Sequence, residues 1–175
     1  LVGARMSSAT LAVVAAAGLP LAFGVGLLAG FSTLAAGAFA FLYGACNGAL
    51  TIARALQQES VVRAVYYPGL TTHAGHALAA SQQSGFGAML SFELQGGVNA
   101  ARAFVDGLAT FCLAESLGGV ESLIAHPPTM THASMSAEVR LAAGISDGLL
   151  RLSVGLESVE DLLNDLYAGI ARVQA

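Results

Sequence analysis

A charge boundary limits what this chain can build more than any other feature. Residues 6–53 carry no charged side chain, whereas all eleven Asp and Glu residues fall between Glu59 and Asp165. The chain therefore divides into an apolar segment, residues 1–45, and a mixed segment, residues 46–175. In the first, residues 11–31 (LAVVAAAGLPLAFGVGLLAGF) form a run of about 20 apolar residues, the length that crosses a bilayer. A shorter apolar stretch follows over residues 34–45, and Arg5 ahead of the run has the layout of a secretory signal, although the run exceeds the usual signal core. The expectation for residues 1–45 is an apolar helical leader.

The basic side chains exclude one class of function at once. All seven are arginine (Arg5, Arg54, Arg63, Arg102, Arg140, Arg151 and Arg172), so the chain contains no lysine. With a formal net charge of −4 and no cluster of cations, nucleic-acid binding is excluded, because it depends on grouped Lys and Arg displacing counterions from phosphate. Cys46 and Cys112 stand apart with no CxxC partner, which points to neither a disulfide framework nor a zinc site. They read as reduced packing residues.

From residue 47 onward helical and strand patterns alternate. NGALTIARALQQ (47–58) is amphipathic, and VVRAVYY (61–67) is a β-branched and aromatic strand stopped by Pro68-Gly69. HALAASQQ is a short helix, residues 87–94 a second strand, residues 98–109 a helix and residues 110–115 a third strand. A helix over 136–143 ends at Gly144, and LLRLSV (149–154) is the fourth strand. Ser158 with Asp161 has the spacing of a capping box for a last helix over 159–173. The expected fold is a small α/β (α+β) domain with a roughly four-stranded sheet and flanking helices.

Four blocks carry a resemblance: YYPGL (66–70), SGFGAMLSFEL (84–94), SLGGVESLIAHPPTMTHA (116–133) and GISDGLLRLSVGLESVEDLLNDL (144–166). In this order they resemble the small C-terminal domain of the fold-type I pyridoxal-phosphate enzymes of cysteine and methionine metabolism. That group contains the cystathionine γ-synthases, cystathionine γ- and β-lyases and homoserine-ester sulfhydrylases. The resemblance implies a domain that packs against a larger cofactor domain and closes over an amino-acid substrate. It implies that Arg151 pairs with the substrate α-carboxylate and that Ser116 and Leu117 line the same pocket. A planar guanidinium suits a carboxylate through two parallel hydrogen bonds. The residues alone leave open a second partner for Arg151, the nearby Asp147 or Glu157.

The other polar candidates point to local structure. His126 and His132 flank Pro127-Pro128 at a spacing that fits no helical ligand pair and read as loop histidines bonded to backbone. His73 and His76 belong to a surface turn and helix, no metal site is expected, and Glu121 reads as an acid at a helix N-terminus. Gly118-Gly119 is placed by the resemblance beside the substrate pocket.

The family's cofactor, pyridoxal phosphate, is held by a lysine that this sequence does not contain. The expectation is therefore a chain that binds no cofactor covalently and is inactive alone. The function that the resemblance implies is that of the substrate-carboxylate-binding domain of a transsulfuration enzyme of the cystathionine γ-synthase type, acting by γ-replacement or elimination on homoserine esters or cystathionine. The blocks are shared by synthases, lyases and sulfhydrylases. The partners implied are an amino-acid substrate and a homo-oligomer or intact family subunits, in the cytoplasm. The upstream Ala/Gly/Leu-rich string is either a native apolar segment or a frame-shifted reading. If native, it supports the alternative of a membrane-anchored or non-catalytic regulatory module.

Overall fold

A computed structural model describes residues 48–175. The expected leader over 1–45, the membrane-anchored alternative and Cys46 fall outside the described residues. Among the described residues no helix is long and apolar enough to cross a membrane.

Helix α1, residues 48–56, buries Ala49, Ile52, Ala53 and Leu56, a spacing of three and four that draws one apolar stripe along it. Strand β1 (Val62–Tyr66), helix α2 (His76–Gln82), strand β2 (Met89–Leu94) and helix α3 (Gly97–Val105) follow. The chain then forms β3 (Cys112–Leu113), β4 (Leu123–Ala125), helix α4 (Ala137–Ala142), β5 (Leu149–Ser153) and helix α5 (Val159–Gln174). The sheet order is β1-β2-β5-β4-β3, antiparallel except for the parallel pair β3 and β4.

The sheet has five strands where the sequence pattern gives four. The additional one, β4, is only Leu-Ile-Ala, buried at all three positions and bounded by a loop and by His126-Pro127. It is too short to show a two-residue period. Strand β3 spans two residues rather than the six expected. The N–H groups of Ala109, Thr110 and Phe111 turn away from the ladder and donate to the buried Asp165 carboxylate at 2.8, 2.8 and 2.9 Å. Cys112 is exposed on this edge strand, which corrects its reading as a packing residue.

The core lies on one face of the sheet. Phe92 opposes Leu150 and Leu90 opposes Leu152 across β2 and β5. These four pack with Ile52 and Leu56 of α1, Phe104 of α3, and Leu162, Leu166 and Ile170 of α5. Phe92 and Phe104 meet edge to face at 5.3 Å between ring centres. Gly169 permits this approach of α3 to α5, since a Cβ there would lie 2.9 Å from the Phe104 ring. Arg172 then donates to the carbonyls of Ala103 at 3.1 Å and Phe104 at 2.9 Å, satisfying acceptors in the last turn of α3. Ser158 stands at the N-cap of α5, but its side chain makes no capping bond. The positive end of that helix is met instead by Glu160 and Asp161 in the first turn.

Candidate functional site

The alternation that buries Leu150 and Leu152 sends Arg151 to the opposite face of the sheet, between Ser91 on β2 and Ala125 on β4. A groove of about 360 Å³ opens there, lined by Arg151 together with Tyr66, Met89, Ser91, Pro127, His132 and Ile145 among others. No Asp or Glu is among the described residues that line it.

The two acids that the sequence offers to Arg151 are engaged elsewhere. Asp147 accepts from Arg140 Nη2 at 2.9 Å. Glu157 accepts from the Ser122 N–H at 2.8 Å and from the Ser122 hydroxyl at 2.7 Å, and the same hydroxyl oxygen accepts from the Gly155 N–H at 2.8 Å. Among the described residues the Arg151 side chain makes no hydrogen bond or ion pair, its backbone alone being paired, with β2 and β4. It is exposed, with a full set of unsatisfied donors facing solvent.

Partial burial pushes the Glu157 carboxyl up, but its hydrogen bonds from Ser122 and from its own backbone N–H outweigh that and leave it below the usual carboxylate value. Tyr66, on the rim of the groove, is shifted the other way. Burial, the neighbouring Glu93 charge and a 3.4 Å hydrogen bond from its hydroxyl to Glu93 hold the phenol protonated above its ordinary value, with Arg63 opposing. Glu93 itself is buried and also accepts from Arg63 at 3.3 Å.

Ser116 and Leu117 lie in the loop between β3 and β4. The Gly118 N–H donates to Ser153 Oγ at 2.9 Å, which ties this loop to β5 two residues from Arg151. Gly118 adopts φ of +96°, a conformation that a side chain disfavours. Ser116 and Leu117 immediately precede this tied glycine, and neither is among the residues that line the groove.

Of the histidines, His126 is buried and fully bonded, Nδ1 to Thr129 Oγ1 at 2.8 Å and Nε2 to the Asp147 carbonyl at 3.0 Å. His73 Nδ1 accepts from the Gly75 N–H at 3.1 Å, and His76 Nδ1 donates to the Pro68 carbonyl at 2.7 Å. Among the described residues no three His, Cys, Asp or Glu side chains gather as a metal site. Glu121 lies outside any helix, exposed in the loop before β4, which corrects its reading as a helix-end acid. His132, which the sequence alone gives as a loop histidine bonded to backbone, also lines the Arg151 groove. The HPPTMTHA block was the available signal, and periodicity could not show where its loop returns.

A second groove, about 560 Å³, lies at the far end of β2 beside Gly96 and Gly97. It mixes Arg63 with Glu93 and Asp147, and Arg63 is already paired with Glu93, so it offers no free cation from that side chain.

A family profile described as Cys/Met metabolism PLP-dependent enzyme matches residues 29–171, starting inside the apolar segment. The chain is 55% identical over 123 residues to the cystathionine gamma-synthase of Escherichia coli (strain K12), covering 70% of this chain and 32% of that protein. It is 56% identical over 121 residues to the cystathionine beta-lyase of Lactococcus lactis subsp. cremoris (strain MG1363), covering 69% and 32%. The crystal structure of cystathionine gamma synthase from Xanthomonas oryzae pv. oryzae in complex with cystathionine superposes with a TM-score of 0.73 at 66% identity, over 77% of this chain and 35% of that one. The chain thus spans about a third of the length of the curated relatives it matches.

Proposed function

This chain belongs to the Cys/Met metabolism PLP-dependent enzymes, and from that premise we propose that its open-face groove receives the α-carboxylate of an amino-acid substrate. One observation carries the reading: Arg151, central in the sheet and directed away from the core, faces an acid-free groove with no partner among the described residues. A guanidinium so placed supplies a planar pair of donors to a carboxylate. Ser116 and Leu117, which precede Gly118 and its bond to Ser153, flank the same ligand. The reaction served is γ-replacement or elimination on homoserine esters or cystathionine, supported by identity to relatives named as cystathionine synthase and lyase.

The family is PLP-dependent. Pyridoxal phosphate is held through a primary amine, and none of these 175 residues is lysine. The residues present do not fit the cofactor as a covalently held group, and the role assigned to this chain is to bind and orient substrate. The partner that completes the site is a family subunit or domain bearing the lysine, or the chain associates with its own copies. Leu113 on the edge strand β3, Val120 in the loop after it and Leu156 beyond β5, exposed at 54%, 64% and 52%, supply apolar surface for that contact. A cytoplasmic location accords with amino-acid metabolism of this kind.

Calorimetric titration with L-cystathionine tests the reading. Arg151→Gln is expected to weaken binding by roughly tenfold or more, the loss of a charge-assisted bidentate pair. Equal affinity in the variant overturns the assignment of Arg151.

A further inference from the structure

We propose that His132 is the second donor of the Arg151 groove, its Nε2–H hydrogen-bonding the carboxylate that Arg151 pairs with. This rests on the carboxylate reading given above and adds a residue to it. Ala125, the cross-strand neighbour of Arg151, is the last residue of β4, and the chain leaves the sheet there into the 126–135 turn. The His132 N–H returns to the Pro127 carbonyl at 2.9 Å, and the Met135 N–H caps the His132 carbonyl at 3.1 Å. These bonds bring residue 132 back beside the strand end next to Arg151, where it lines the groove.

Thr131 Oγ1 lies 2.8 Å from His132 Nδ1. The pair admits either ring tautomer; in the one that leaves a donor for the groove, the hydroxyl donates to Nδ1 and the proton sits on Nε2. That nitrogen has no partner among the described residues, in contrast to His126, where both ring nitrogens are engaged. The other titratable side chains lining the groove are Arg151 and Tyr66, and the Tyr66 hydroxyl is already directed to Glu93. A carboxylate oxygen is the acceptor that such a surface lacks.

The test uses the full chain, with acetate as probe and acetamide as its uncharged analogue. In the wild type, acetate is expected to shift the His132 imidazole resonances in NMR spectra while acetamide does not. His132→Phe should raise the apparent Kd for acetate roughly tenfold, the value of one hydrogen bond to a charged group. His132→Gln, whose amide nitrogen reaches about as far as Nε2, should retain binding, and the shorter His132→Asn should lose it. If His132→Phe fails to fold, the Gln and Asn pair decides. Acetate affinity that depends on Arg151 but is equal in the wild type and the Phe or Asn variants overturns the role of His132 and leaves the role of Arg151 standing. Affinity unchanged by Arg151→Gln, or equal responses to acetate and acetamide, overturns both.

Discussion

The two faces of β5 differ in what holds them. On one, Leu150 and Leu152 are 0% exposed, clamped between Phe92 and the helices. On the other, Arg151 stands exposed above a groove, and Ser153 holds a loop rather than a core. A single strand thus buries its core leucines on even positions and turns Arg151, an odd one, to the groove. Substitutions one residue apart should therefore separate stability from binding.

The largest effect is expected on the covered face. Phe92→Ala should cost about 3–5 kcal/mol, read by urea denaturation, since it removes a fully buried ring together with its contact to Phe104. A loss similar to that of an open-face variant would erase the contrast. Asp165→Ala should cost about 3 kcal/mol by leaving three backbone N–H groups without their acceptor, and faster amide exchange at residues 109–111 would locate the damage. Gly169→Ala comes next, at about 2 kcal/mol, because the added methyl meets the Phe104 ring.

A smaller effect concerns pH. The Glu157 carboxyl is held below its usual value of 4.5 in the folded protein, so it contributes stability above that pH, and the contribution is lost as pH falls through the lower folded value. Glu157→Gln should flatten the stability profile below about pH 4.5 and leave the remainder of its shape unchanged. The smallest effect belongs to the open face. Arg151→Gln should alter stability by no more than about 0.5 kcal/mol while reducing carboxylate binding, and a large loss of stability would mean that the arginine is a structural residue.

The covered face was legible in the sequence because its signals are local. Leu50, Ala53 and Leu56 mark an amphipathic helix, of which Ala53 and Leu56 are buried and Leu50 is partly so, and LLRLSV marks the strand that carries the buried Leu150 and Leu152. Features set by distant contacts were not legible. The shortness of β3 follows from Asp165, which lies more than fifty residues along the chain from its three donors. β4 has three residues and no period, and the capping box at Ser158 and Asp161 has the right spacing without the bond. On the open face, Arg151 was legible only as part of a motif that resembles a family. His132 reads from the sequence as a loop histidine, since no spacing reveals that its loop folds back to the groove.

The strand order has a consequence for synthesis. β5 is made last but lies between β2 and β4, so until residue 153 is available the early strands have no central partner. A nascent chain paused before that point presents the edges of β2 and β4 with their backbone donors and acceptors unpaired, a template for association with other chains. Strands β2 and β5 are separated by more than fifty residues, which makes their pairing a late, non-local step. Emergence of Leu149–Ser153 from the ribosome is thus what joins two partial ladders into one sheet, and it delivers Arg151 to the open face in the same act.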